Sequence, residues 1–141
     1  MEWKKKAMIS VLSLSLLSVN SSDAATYFTD VSTHWGKATI EWASQVGITK
    51  GYPDGKFKPE NPVTEAEFLT MFVRAYKEKQ GLKNLESKPW PAGYYEFAQL
   101  MKYPVSEFTE GKNALINRQR VADLIAASTG TTYSGRDAIY Y

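Results

Sequence analysis

"GYPDGKFKPENPVTEAEF", running from Gly51 to Phe68, decides how this chain folds. Its first part carries Gly51, Pro53, Gly55, Pro59 and Pro62, which interrupt regular structure and supply the backbone geometries of tight turns. Thr64-Glu65-Ala66-Glu67 follows, a Thr-x-x-Glu capping box. There the threonine hydroxyl can accept from a free N–H of the first turn while Glu67 reaches back. Glu65 and Glu67 also suit the positive end of a helix dipole. Phe68, Leu69, Phe72, Val73 and Tyr76 then form one broad apolar stripe, with Lys77 and Lys79 near the negative end and Gly81 beyond. The stretch is a loop that ends by starting a helix.

Upstream, Trp35, Ala38, Trp42, Ala43 and Val46 recur at helical spacing, with Ser32 or Thr33 placed to cap and Gly47 placed to stop. Downstream, the pattern returns. "WGKATIEWA" (Trp35 to Ala43) aligns with "WPAGYYEFA" (Trp90 to Ala98), "YPDGK" (Tyr52 to Lys56) with "FTEGK" (Phe108 to Lys112), and "VTEAEFLTMF" (Val63 to Phe72) with "INRQRVADLI" (Ile116 to Ile125). Asn117 takes the capping place of Thr64. The intervening loop is shorter in the second copy, so the repeat is degenerate. "SGRDAIYY" (Ser134 to Tyr141) resembles a third start, with a Ser-x-x-Asp cap. The expected fold class is therefore all-α, built from tandem helix-loop-helix units. The expected divisions are a leader over 1–25, a first unit over 26–80, a linker over 81–89, a second unit over 90–131 and a truncated third start over 132–141.

The leader is expected from Lys4, Lys5 and Lys6, the apolar and serine stretch from Ala7 to Val19, and small residues at Ser22-Asp23-Ala24-Ala25, with cleavage after Ala24 or Ala25. "AMISVLSLSLLSV" is too short for a membrane span, which needs about 20 mainly apolar residues. The chain has no cysteine, so neither a disulfide nor a thiolate metal site nor a lipid-modified cysteine is available. The formal net charge is +2, and the leader contributes part of it, so no basic patch points to nucleic acid. Aromatic residues make up 13% of the chain, and aromatics serve both as core and as platforms for sugar rings.

Most chemistries are excluded by what the motifs lack. With Asp54 as first ligand of a calcium loop, Lys56 and Lys58 would occupy the third and fifth positions, where oxygen donors are required. No Gly-Lys-Ser/Thr closes a phosphate loop. His34 is the single histidine, and Glu65 and Glu67 are explained as caps before they are explained as an acid–base pair on a glycan. We therefore expect no catalytic residues, no metal and no cofactor. Trp42, Phe68, Leu69, Phe72, Val73, Leu124 and Ile125 are expected in the core, while Trp35 suits either packing or sugar stacking.

"FTDV" (Phe28 to Val31), Trp35, "GITKGYPDGKFKP" (Gly47 to Pro59) and "VTEAEF" (Val63 to Phe68) together resemble an S-layer homology module. The resemblance implies an all-helical fold of repeated helix-loop-helix units. It also implies an exported, noncatalytic module that holds secondary cell-wall polysaccharide, possibly pyruvylated, on Gram-positive-type walls. Carried over residue by residue, it points to Asp30 and Trp35 near the first helix, and to Gly51, Tyr52 and Lys56 in the loop. At the second position of the Thr-Arg-Ala-Glu motif stands Glu65, a reversed charge that would repel an acidic ketal. The matching position in the second unit is Arg118, which together with Arg120 is the expected grip on an anionic sugar. Lys50, Lys56 and Lys58 would raise the local concentration of an acidic polymer. The expected partner is thus wall polysaccharide, with no nucleic acid and no membrane after leader cleavage. An alternative is an interaction fragment that associates with other chains, and a weaker one is a glycan-active enzyme.

Overall fold

The computed structural model describes residues 28–76 and 79–130. The expected leader, the third start and Lys77 lie outside the described residues. The described residues form helices α1 (Lys37–Gln45), α2 (Glu65–Tyr76), α3 (Lys79–Glu86), α4 (Ala92–Leu100), α5 (Phe108–Gly111) and α6 (Arg118–Ser128), and no strand. The all-α expectation holds.

α2 begins as its capping box dictates. The Thr64 amide and hydroxyl each donate to Glu67 Oε2 at 2.9 Å, and the Glu67 amide donates to Thr64 Oγ1 at 3.3 Å. α6 begins in the same way, with Asn117 Oδ1 accepting from the Arg120 amide at 2.9 Å. α1 departs from expectation. Neither Ser32 nor Thr33 caps it; the His34 ring instead accepts from the Gly36 amide through Nδ1, and the helix starts at Lys37. Gly47, at φ +80°, ends it as expected.

The main core joins α2 to α4. Ala66, Leu69, Phe72 and Val73 of α2 meet Tyr94, Tyr95 and Ala98 of α4, all buried. Leu82 and Leu85 of α3 close over it from the side. The polar stretch expected as a linker therefore holds a packed helix, because Leu82 and Leu85, three apart, put two apolar groups on one face. Gly93 permits this contact: a Cβ there would sit 2.3 Å from the Leu85 carbonyl oxygen. A smaller cluster of Phe28, Val31 and Ile40, with Phe57 against it, anchors α1 to the loop. Two core expectations fail. Trp42 and Ile125 are 55% and 42% exposed, so the described residues cover neither side chain fully.

The two units also touch through backbone. Thr64 and Leu115 form an isolated antiparallel bridge, flanked by the Glu65 amide donating to the Ala114 carbonyl at 2.8 Å and the Ile116 amide donating to the Val63 carbonyl at 3.0 Å. The starts of α2 and α6 are thereby laid side by side. "FTEGK" does not copy the turn of "YPDGK". Phe108 to Gly111 is one helical turn, whereas Gly55 has φ +75°. The shorter loop leaves no room for the wider excursion.

Candidate functional site

The loop from Gly51 to Pro59 is held by side chains that close on its backbone. Asp30 Oδ1 accepts from the Phe57 amide at 2.9 Å and Oδ2 from the Lys58 amide at 2.8 Å. These bonds, that of Phe57 first, hold the Asp30 carboxyl below the usual carboxylate range. Asp54 accepts from the Lys56 amide at 3.1 Å and pairs with the Lys58 ammonium at 3.0 Å. The Tyr52 amide donates to the Lys56 carbonyl, and the Gly55 amide to the Tyr52 carbonyl. Asp30, expected to face a ligand, is thus occupied as the loop's tether.

Between this loop, α2 and the second unit lies a groove of about 620 Å³. Tyr52 and Lys58 form its loop wall, and the Lys58 ammonium lies 4.3 Å from the centre of the Tyr52 ring. Glu67, Thr70, Met71 and Arg74 of α2 form the floor, and Trp90, Lys112 and Asn113 of the second unit the far side. The Trp90 indole N–H donates to Thr70 Oγ1 at 3.0 Å, which fixes a ring that is still 56% exposed. Arg74 is aimed by a cluster behind it: its guanidinium donates to Glu86 Oε1 at 2.7 Å and to the Tyr94 hydroxyl at 3.0 Å, while Lys50 pairs with the same carboxylate at 3.4 Å. Lys50, Lys58, Arg74 and Lys112 give the lining four cations against the carboxylate of Glu67. Two aromatic faces and several hydrogen-bonding groups complete a surface suited to a polar, ring-shaped, anionic ligand.

Glu67 carries two duties, capping α2 and accepting from the Tyr52 hydroxyl at 2.7 Å. Burial pushes its carboxyl up, but the bonds from Thr64 and Tyr52 outweigh this, and it lies below its ordinary 4.5. The same bond, with burial and the Glu67 charge, pushes Tyr52 up to about 12 from 10.0. A depressed carboxyl contributes stability that is present above its unfolded pKa and lost as pH falls through the folded one. A raised phenol contributes stability that is present below pH 10.0 and lost as pH rises toward about 12. Urea midpoints are expected to fall on both flanks, below pH 4.5 and above pH 10.0. Tyr52→Phe should make the alkaline fall shallower without abolishing it, because burial also raises Tyr94 and Tyr95.

Of the expected site residues, Gly51 and Tyr52 line the groove. Lys56 is exposed at the turn, outside the lining. Trp35 is 92% exposed, beside His34, so it neither packs nor reaches the groove. Arg118 is exposed at the start of α6. Arg120 is turned inward, donating to the Pro104 carbonyl at 3.0 Å and to Ser106 Oγ at 3.4 Å, with its Nε 3.5 Å from Glu65 Oε2. Glu65 is only 3% exposed and faces the second unit rather than the groove, so its charge does not oppose a ligand there. Sequence reasoning missed Thr70, Arg74, Trp90 and Lys112. The signal was present for part of the set, since Glu67, Thr70, Met71 and Arg74 follow i, i+3, i+4, i+7 spacing and mark a second face of α2.

The chain matches the model of the S-layer homology domain over residues 27–69. Over 65 residues it is 45% identical to the middle cell wall protein of Brevibacillus brevis, a match covering 45% of this chain and 6% of that protein. It is 38% identical over 64 residues to cell surface glycoprotein 1 of Acetivibrio thermocellus, covering 45% of this chain and 3% of the relative. With the cellulosome-anchoring protein of the same organism it shares 38% identity over 48 residues, 34% of this chain and 10% of the relative. The chain thus spans a small fraction of the relatives it matches. No solved structure matches significantly. The family match and the relatives' names, those of cell-wall, cell-surface and cellulosome-anchoring proteins, point to the cell wall or surface.

Proposed function

We propose that the protein anchors noncatalytically to the wall by holding secondary cell-wall polysaccharide in the groove between the first unit's loop and the second unit. One observation carries this reading: in a chain that matches the S-layer homology domain, Tyr52 and Trp90 present aromatic faces in the same groove as Lys50, Lys58, Arg74 and Lys112. Stacking on the rings accounts for sugar recognition, and the cations account for an acidic substituent such as a pyruvyl ketal. Arg74 is the strongest cation for that purpose, because Glu86 and Tyr94 fix the plane of its guanidinium.

The test is co-sedimentation with walls that retain their polysaccharide, against walls stripped of it. Binding to the first and not the second is expected; absence of binding to both overturns the reading. Trp90→Ala should weaken binding about tenfold, equivalent to ~1.4 kcal/mol, with Trp90→Phe retaining part of it. If Arg118→Ala is instead the variant that loses binding, the site lies at the start of α6.

A further inference from the structure

Glu65 does not line the groove, yet two residues that do, Lys112 and Asn113, lie between two points where it holds the second unit. On one side its Oε1 faces Gly111, so closely that a Cβ there would come within 2.5 Å. On the other its amide donates to the Ala114 carbonyl at 2.8 Å, beside the bridge between Thr64 and Leu115. A third route runs through aromatic rings. The Tyr95 hydroxyl donates to Glu65 Oε1 at 3.0 Å, the Tyr95 ring meets Phe108 edge-on with centroids 5.4 Å apart, and the Lys112 ammonium lies 5.6 Å from the centre of the Phe108 ring. All three routes end at Lys112 or beside it.

Lys112 also differs from the other cations of the lining in what holds it. Lys50 and Arg74 share Glu86, and Lys58 pairs with Asp54. A carboxylate neutralises the ammonium it orients, whereas a ring orients an ammonium and leaves its charge in place. The Glu65 carboxylate is itself fixed, because the Ser106 amide donates to Oε1 and the Ser106 hydroxyl to Oε2, each at 3.0 Å. We propose that Glu65 is the positioning residue of the groove's far side: from outside the lining it sets Lys112 where the acidic substituent of a bound glycan meets it, as a second cation beside Arg74. The inference rests on the groove being the glycan site and adds to it a residue that touches no ligand.

Two measurements on the full chain test it, with far-UV circular dichroism as the folding control for each variant. In co-sedimentation with walls that retain their polysaccharide, Glu65→Gln and Lys112→Ala should each weaken binding about fivefold, the size of one charged contact near a surface. The double variant should bind no worse than Lys112→Ala alone, whereas Glu65→Gln combined with Arg74→Ala should show the product of the two losses. In hydrogen exchange without ligand, Glu65→Gln should speed the amides from Lys112 to Ile116 and leave those from Gly51 to Lys58 unchanged; a general loss of stability would speed both. Ser106→Ala, which removes one donor from the same carboxylate, repeats both measurements should Glu65→Gln fold poorly. A wild type that does not bind these walls removes the glycan reading and this inference with it. Where the wild type binds, the inference alone is overturned by unchanged binding in Glu65→Gln or in Lys112→Ala, by losses that multiply in their double variant, or by exchange that rises equally in both segments.

Discussion

Glu65→Arg, which restores the residue that the S-layer homology pattern carries at this position, is expected to destabilise the protein by about 3–5 kcal/mol. The usual expectation for a return to the family residue is the reverse. Here the surroundings decide. The Glu65 carboxylate accepts from the Tyr95 hydroxyl, the Ser106 amide and the Ser106 hydroxyl, each at 3.0 Å, and lies 3.5 Å from Arg120 Nε. Gly111 presses close enough that a Cβ there would come within 2.5 Å of Glu65 Oε1, so the pocket is tight as well as polar. An arginine would be larger, would leave three donors without an acceptor, and would place a second guanidinium beside Arg120. Glu65→Gln keeps the shape and part of the hydrogen bonding, so its cost should be lower, about 1–3 kcal/mol. Urea denaturation of the two variants separates charge from shape: a negligible loss for Glu65→Gln would mean that the charge is irrelevant, and equal losses that shape adds nothing to it. Since Arg120 comes from the second unit, the same measurement reports how strongly the two units are latched together.

That latch also marks the limit of what could be read from the chain. The α2 start, its stripe and the Asn117 cap follow rules that operate within one turn of helix, and Thr64, Glu67 and Asn117 obey them as spaced. The family pattern was legible for the same reason, because Asp30, Gly51 and Gly55 shape a local loop. Glu65 was not legible, because its role depends on Tyr95, Ser106 and Arg120, which lie far along the chain and meet it only after α2 and α4 pack. α1 failed for the complementary reason. Periodicity identifies an apolar face but not which neighbour exists to cover it, and only Ile40 found one within the described residues. The groove shows both behaviours: Tyr52 came from the motif and Arg74 was recoverable from spacing, whereas Trp90 and Lys112 join it through tertiary contact.

Gly51→Ala is expected to cost about 2–5 kcal/mol, and Gly55→Ala, in the same loop, only about 1–2 kcal/mol. Both glycines have positive φ, +66° and +75°, so both substitutions incur the strain of a left-handed backbone. They differ in what a methyl group meets. At Gly55 nothing lies within 4 Å, whereas at Gly51 a Cβ would stand 2.2 Å from Phe28 Cε1 and 2.9 Å from the Lys56 carbonyl oxygen. Phe28 cannot yield easily, because it is 3% exposed and centres the cluster with Val31 and Ile40. The loop must therefore move away, and the Tyr52 amide bond to the Lys56 carbonyl weakens with it. Tyr52 then carries the strain into the groove, since its hydroxyl is bonded to Glu67 and its ring faces Lys58. Gly51→Ala should consequently lose wall binding even where enough protein remains folded, while Gly55→Ala keeps it. Equal stability losses for the two would show that the Phe28 contact is not what demands glycine at Gly51. Equal binding would show that the loop wall does not shape the groove.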